Sequence, residues 1–115
     1  MDALNDYKEI IKIVHICGKL KSVYNELNNL KCDVFSMDSA VDLKTLRDYM
    51  PGKKLMGNVS THAIGTMNEA KVIDLTQNAV ARGADIVAPA CGLPVSTPLN
   101  SIRSMVNAVR VTNLN

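Results

Sequence analysis

The chain has 115 residues, a length that suits one compact domain or a piece of a larger one. Hydrophobic residues make up 47% of it and aromatic residues 3%, so the core is expected to be aliphatic and stacking platforms for nucleic-acid bases are scarce. The formal net charge of +2, spread over scattered lysines and arginines, also argues against a nucleic-acid partner.

The sequence also argues against a membrane protein. No apolar stretch approaches the ~20 residues that cross a bilayer, and the N-terminus has no signal-peptide pattern. Three cysteines, an odd number, do not suggest a disulfide framework. We therefore predict a cytoplasmic protein without a membrane partner, whose thiols are free to bind metal.

Four short apolar segments, each followed by an amphipathic helix, repeat along the chain. The apolar runs predict strands over residues 12–17, 32–37, 54–58 and 85–88. Apolar spacing and capping signals predict helices over 19–29 and 43–50, a third that opens with Thr66-Met67-Asn68-Glu69 and ends before Gly83, and a last one led by Thr97-Pro98. Residues 3–10 are interpreted as the end of a preceding helix.

Strands that alternate with helices predict an α/β fold with a parallel sheet and right-handed crossovers. Four βα units amount to half of a TIM (β/α)8 barrel, and a doubly wound sheet is the alternative. Four strands alone would leave two sheet edges and half of a core uncovered. The chain is therefore expected to be a fragment, or one partner of an assembly that completes the barrel.

His15, Cys17 and Cys91 follow the apolar runs of the first and fourth strands. Residues i and i+2 of a strand share a face, so His15 and Cys17 point into the same space, and a second strand can bring Cys91 there. One histidine and two cysteines form a three-ligand zinc set with an open fourth position, as in catalytic zinc sites. The alternative is that the cysteines are small apolar core residues.

Four further residues could belong either to a functional site or to the structural framework. Asp38 and Asn58 end the second and third strands on the same rim, where they are either turn residues or part of a site. His62 is predicted in the loop after the third strand, as a solvated histidine, a spare ligand or a substrate contact. Cys32 begins the second strand at the opposite end, and we expect it in the core.

Five segments occur in an order that resembles a known family. They are Val14-His15-Ile16-Cys17-Gly18, Phe35-Ser36-Met37-Asp38, Met56-Gly57-Asn58-Val59, Ala88-Pro89-Ala90-Cys91-Gly92-Leu93-Pro94 and Thr97-Pro98-Leu99-Asn100. Together they resemble the C-terminal half of the uroporphyrinogen decarboxylase-like superfamily. The chain is most similar there to the methylcobamide:coenzyme M methyltransferases and related corrinoid-dependent enzymes, over about residues 12–109.

The resemblance implies that residues 1–115 form the C-terminal half of a TIM barrel in which His15, Cys17 and Cys91 bind zinc. A thiol such as coenzyme M would lose its proton at the metal and accept a methyl group from methylcobalamin, a reaction of methanogenesis. The corrinoid would arrive on a separate carrier protein. Asp38 and Asn58 are then predicted catalytic residues at the mouth, with Asp38 supporting the zinc histidine or orienting substrate.

Two alternatives remain open at this level. One is a uroporphyrinogen decarboxylase-like enzyme without metal, since the decarboxylases share the barrel. The other is a catalytically inactive half-barrel that self-associates or pairs with a missing N-terminal half. The sequence leaves the methyl acceptor undecided between coenzyme M, homocysteine and a pterin-linked route.

Overall fold

The computed structural model describes residues 4–66 and 68–113, and of Asn113 the backbone alone. Four strands are present: β1 (Ile13–Ile16), β2 (Val34–Met37), β3 (Lys54–Val59) and β4 (Ile86–Pro89). The α-helices are α1 (Tyr24–Leu27), α2 (Leu43–Tyr49), α3 (Thr61–Thr66), α4 (Glu69–Ala81) and α5 (Leu99–Asn113). None of the helices in the described part of the chain has both the length and the apolar character needed to cross a bilayer.

The four strands form one sheet in the order β1-β2-β3-β4, and every neighbouring pair is parallel. Sequential parallel strands with crossovers of one hand place their helices on one side of the sheet, as in a barrel. A doubly wound sheet would reverse its strand order at a switch point, and these four strands show no reversal. The strand order therefore favours the barrel over the doubly wound alternative.

One face of the sheet packs against the helices and forms the core. Its fully buried strand residues belong to an apolar cluster that continues into α2 and α4, and this cluster includes Phe35, Met37, Leu55, Val59, Leu43, Leu46 and Val72. The edge strands are different, because Ile13 is 53% exposed and Ile86 is 41% exposed. The described residues thus cover one face of the sheet and leave apolar side chains open at its edges.

Arg47 of α2 holds the beginnings of β3 and β4 together. Its guanidinium donates hydrogen bonds to the carbonyls of Lys53 and Gly83, each at 2.8 Å, and to the carboxylate of Asp85. The same carboxylate accepts the N–H of Leu55 at 2.9 Å. These contacts explain why β4 begins at Ile86, one residue later than predicted, because Asp85 is used as a side-chain bridge.

The helical region after β3 differs from the prediction. The Ser60 hydroxyl accepts a backbone N–H at 3.2 Å from the first turn of α3, so His62 lies in a helix that the sequence analysis placed as loop. The predicted opening of the next helix at Thr66 is wrong, because the Thr66 hydroxyl donates to the His62 carbonyl at 2.6 Å. Asn68 caps α4 instead, accepting the N–H of Lys71 at 2.8 Å.

The end of α4 confirms the predicted glycine cap. Gly83 has a φ of +109°, a conformation that glycine adopts without a Cβ penalty. Its N–H donates to the Val80 carbonyl at 3.1 Å, and the N–H of Ala84 donates to the Ala79 carbonyl at 3.1 Å. This pair of bonds is the Schellman arrangement, which satisfies the last carbonyls of a helix.

Two other predicted helix boundaries are wrong. The predicted helix 19–29 is a 3-10 turn, Lys21–Val23, followed by the single turn of α1, and neither start has a side-chain cap hydrogen bond. The predicted helix over 3–10 extends no further than Leu4, which has 3-10 geometry, because residues 5–10 form turns and irregular backbone; residue 3 lies outside the described residues.

The start of α5 is also different in detail. The Thr97 hydroxyl donates to the carbonyl of Pro94 at 2.6 Å, so it closes a turn and does not cap the helix. The helix begins at Leu99, one residue after the predicted proline position.

We predict that Asp85→Asn lowers the free energy of unfolding by about 1 kcal/mol at pH 7. Partial burial raises the pKa of Asp85, but the Leu55 N–H and the Arg47 guanidinium outweigh it and hold the pKa below its usual value. Stability from such a group is present above the unfolded-state pKa and is lost as pH falls through the folded-state pKa.

Urea unfolding of both proteins between pH 7 and pH 3 measures this difference. The gap between wild type and variant should close toward acid pH. Asp74→Asn is the matched control, since Asp74 is 74% exposed and lies 3.8 Å from Lys71. If Asp85→Asn and Asp74→Asn lose the same free energy of unfolding at pH 7, the stabilising role given to Asp85 is wrong.

Candidate metal centre

The carboxyl ends of the two edge strands meet at one point. His15 lies in β1, Cys17 follows it, and Cys91 lies two residues after β4. In a flat sheet, strands three places apart would be separated by about 14 Å. The sulfurs of Cys17 and Cys91 are 3.7 Å apart. The sheet and its following loops must therefore curve toward each other at this rim, as they do in a barrel.

The three side chains fit a zinc ion in donor type and spacing. Their donor atoms all lie within 4.8 Å of one another, and they form the one such group of three found among the described residues. Two thiolate sulfurs bound to tetrahedral zinc at ~2.3 Å lie about 3.8 Å apart, close to the observed 3.7 Å. The His15 Nε2 atom lies 3.1 Å from the Cys17 sulfur. All three residues are exposed, so an incoming ligand can reach the group.

The other nitrogen of the His15 ring contacts a residue that the sequence analysis did not single out. The Nδ1 atom lies 2.8 Å from the Oγ atom of Ser36 on the neighbouring strand. His15 and Ser36 are register partners in the β1–β2 pair. The sequence did contain a signal for this contact. Side chains alternate along a strand, so Ser36 lies on the same face as Asp38, which was already a candidate site residue.

The groups around Cys17 hold the pKa of its thiol above the ordinary value, which favours the protonated form. The hydrogen bond with Cys91 raises the pKa of the Cys17 thiol most, and partial desolvation and the negative charges of Cys91 and Asp38 raise it further. A metal ion binds the thiolate and not the thiol, so metal binding at this group releases a proton.

Asp38 holds two rim loops together. Its carboxylate accepts the N–H of Ala40 at 2.9 Å, the N–H of Gly18 at 3.1 Å and the Ser39 hydroxyl at 3.3 Å. The Ala40 and Gly18 N–H groups lower the pKa of Asp38, and the nearby His15 adds to this effect. Asp38 is therefore ionised at neutral pH, and it fixes the residue that follows Cys17 in the chain.

Asn58 supports the same rim from β3, away from the donor group. Its Nδ2 atom donates to the carbonyls of Asp38 at 3.0 Å and Val41 at 2.7 Å. It also lines a cleft of about 510 Å³ between α2 and α4, together with Asp42 and Arg82, which are paired at 2.8 Å. The structure therefore brings Asn58 to the loop after β2 and to a cleft whose lining includes none of the three metal donors.

Neither of the other two candidate residues joins the metal donors. Cys32 is half-buried against the core at the opposite end of the sheet, two residues before β2 and not in the strand as predicted, and burial is the main cause that raises its pKa. His62 lies in α3, where its carbonyl accepts the Thr66 hydroxyl.

A family profile described as uroporphyrinogen decarboxylase (URO-D) matches residues 1–111. The chain belongs to the uroporphyrinogen decarboxylase family. The match confirms the resemblance seen in the sequence and covers nearly the whole length of this family member.

Several relatives are methyltransferases. The chain is 25% identical over 113 residues to a methylcobamide:CoM methyltransferase, MtbA, of Methanosarcina acetivorans, covering 96% of this chain and 32% of that protein. It is 28% identical over 108 residues to MtaA of Methanosarcina barkeri, covering 85% and 30%. A methionine synthase of Methanothermobacter thermautotrophicus is 30% identical over 112 residues, covering 83% and 34%. This family member thus spans about a third of the length of the relatives it matches.

A solved structure confirms the fold class. A methyltransferase from Methanosarcina mazei superposes with a TM-score of 0.85 at 22% identity, covering 91% of this chain and 32% of that one. At this identity the likeness concerns the fold. The predicted class, an α/β fold of four βα units from a TIM barrel, is therefore confirmed.

We predict that the purified chain binds about one zinc ion and that Cys17→Ser and Cys91→Ser each weaken zinc binding by at least 100-fold. Each change replaces a thiolate with a hydroxyl, which is a poor zinc ligand. Elemental analysis and competition with a chromogenic chelator measure stoichiometry and affinity. Cys32→Ser is the matched control, since Cys32 lies at the opposite end of the sheet. If wild type and the three variants contain equal amounts of zinc, Cys17 and Cys91 are not zinc ligands.

We predict that Asn58→Asp destabilises the fold by about 2 kcal/mol. The new carboxylate would face the two carbonyl oxygens that the Asn58 amide now satisfies, and both would lose their donor. Thermal unfolding measures the loss. Asn78→Asp, on the wall of the same cleft, is the control. A variant as stable as wild type at pH 7 would show that the amide does not hold this loop.

Proposed function

We propose that this chain carries the zinc-binding part of a corrinoid-dependent methyltransferase, which moves a methyl group from methylcobalamin to a thiol such as coenzyme M. The observation that supports it most directly is the convergence of His15, Cys17 and Cys91 within 4.8 Å. The names of MtbA and MtaA among the relatives support the same chemistry. Residues 1–115 are proposed to form a single domain, the C-terminal half of a TIM barrel.

The donor set suits thiol activation. Zinc held by one imidazole and two thiolates lowers the pKa of a thiol in its fourth position and leaves the sulfur nucleophilic. A concavity of about 300 Å³ adjoins the donors, and its walls include Ile13, Met56 and Pro89 beside His15 and Cys91. These aliphatic walls provide a partly desolvated place for the carbon chain of a small thiol.

Asp38 and Asn58 are proposed to serve the reaction by holding the rim. Asp38 fixes the Gly18 N–H beside Cys17, and Asn58 fixes the loop that carries Asp38. In this proposal both residues keep the donors aligned.

The proposed partners are a corrinoid carrier protein and the remaining units of the barrel. The carrier would deliver the methylated corrinoid to the rim where the donors lie. The remaining units, or a second copy of the chain, would cover the exposed Ile13 and Ile86 at the edge strands. A reducing cytoplasm is the proposed location, because the donor thiols must stay reduced.

A decarboxylase-like enzyme without metal is the second candidate, and the family description favours it. In that case His15, Cys17 and Cys91 would be ordinary rim residues. Metal content separates the two candidates without an activity assay.

Cobalt substitution tests whether the centre accepts a thiol. We predict that the cobalt-loaded chain shows sulfur-to-cobalt charge-transfer absorption, and that coenzyme M or homocysteine increases it by adding a third thiolate. The same thiols should then demethylate free methylcobalamin when the chain is loaded with zinc. Cys91→Ser should lose both responses and Cys32→Ser should retain them.

Two results would contradict the proposal. A folded chain that binds no metal supports the decarboxylase-like candidate. A chain that binds metal but whose spectrum is unchanged by any thiol has no exchangeable position, and the methyl-transfer assignment fails. If a thiol changes the cobalt spectrum but methylcobalamin is not demethylated, the chain binds the thiol and methyl transfer needs barrel units beyond this chain.

A further inference from the structure

We propose that Ser36 is the positioning residue for His15, and that its hydroxyl sets the ring orientation and tautomer that present Nε2 to the metal. This inference rests on the proposed function, since it concerns a zinc-binding histidine. The contact that carries it is the 2.8 Å separation between Nδ1 of His15 and Oγ of Ser36. Ser36 is 6% exposed, so this hydroxyl is largely removed from competing water.

The position of Ser36 follows from the sheet. His15 and Ser36 are paired in the parallel register of β1 and β2, so both side chains project from the same face. The imidazole is exposed on one side, where Nε2 lies 3.1 Å from the Cys17 sulfur, and anchored on the other by Ser36. A ring flipped by 180° would put a carbon atom against the hydroxyl and lose the bond.

The tautomer follows from the same contact. A neutral imidazole carries one proton, and a metal can bind only the nitrogen without it. When Nδ1–H donates to the Ser36 Oγ, the lone pair of Nε2 faces the two thiols. Partners of this kind commonly orient metal-binding histidines.

Asp38, which the sequence suggested for this task, is occupied elsewhere. Its carboxylate accepts the N–H groups of Gly18 and Ala40. Ser36 is a neutral partner for His15. Its neutrality affects the net charge of the centre, because two thiolates already balance the +2 charge of a zinc ion. A serine orients the ring without adding negative charge, which keeps the fourth position attractive to an anionic sulfur.

Three variants test Ser36. Ser36→Ala removes the hydroxyl, and Ser36→Val and Ser36→Thr differ from each other only in the hydroxyl. We expect zinc affinity, measured by chelator competition, to fall about 10- to 100-fold in the alanine and valine variants and to stay within about threefold of wild type in threonine. Ser104→Ala is the control, a serine of 8% exposure that contacts Glu69 at 3.3 Å.

A spectroscopic measurement separates orientation from stability. The measurement is proton NMR of the cobalt-loaded chain, in which the paramagnetic metal shifts the Nδ1–H resonance of His15. This resonance should be visible in wild type and Ser36→Thr, where a hydrogen bond protects the proton from exchange. It should be lost to exchange with water in Ser36→Ala and Ser36→Val. A loss of global stability alone would not remove the resonance from protein that is still folded and loaded.

The outcomes distinguish this inference from the proposed function. If wild type binds no zinc or cobalt, the proposed function fails and the role of Ser36 fails with it. If wild type binds and all Ser36 variants match it in affinity and proton exchange, the role of Ser36 alone is overturned. Should Ser36→Ala not fold, the threonine and valine pair gives the same decision.

Discussion

The structure depends on the curvature of one parallel sheet. Four strands in sequential order place β1 and β4 at opposite edges, yet the sulfurs of Cys17 and Cys91 are 3.7 Å apart. Curvature of that kind comes from the twist of parallel strands whose helices all pack on one face. The same curvature that assembles the donor group leaves Ile13 and Ile86 exposed at the edges. The convergence of the three side chains and the exposure of the edge strands therefore share one physical cause.

Hydrogen bonds at the two ends of the sheet have different tasks. At the amino end, Arg47 and Asp85 join a helix to the starts of two strands, which fixes where β4 begins. At the carboxyl end, Asp38 and Asn58 bind the backbone of neighbouring loops, which fixes where Cys17 lies. Polar side chains at the rim of this protein thus act largely on backbone groups, which cannot be left unsatisfied when they are partly buried.

Prediction from the sequence was most successful where a single residue type fixes the backbone or where apolar residues are concentrated in one short segment. The Gly83 cap and all four strands are examples, because a left-handed φ needs glycine and a continuous apolar run suits a covered strand. It failed for Thr66 and Thr97, whose hydroxyls have more than one local carbonyl or N–H within reach. The choice between those partners depends on packing, which local pattern does not contain.

The sequence by itself determined the repeating βα order, the family and the three candidate metal donors, since each is written in local pattern or in residue type. Only the tertiary structure decided that the donors of β1 and β4 converge, that Ser36 and not Asp38 contacts the His15 ring, and that Asn58 faces a different cleft. These facts depend on strand register and sheet curvature. Both arise from packing between residues far apart in the chain, whose interactions no local spacing records.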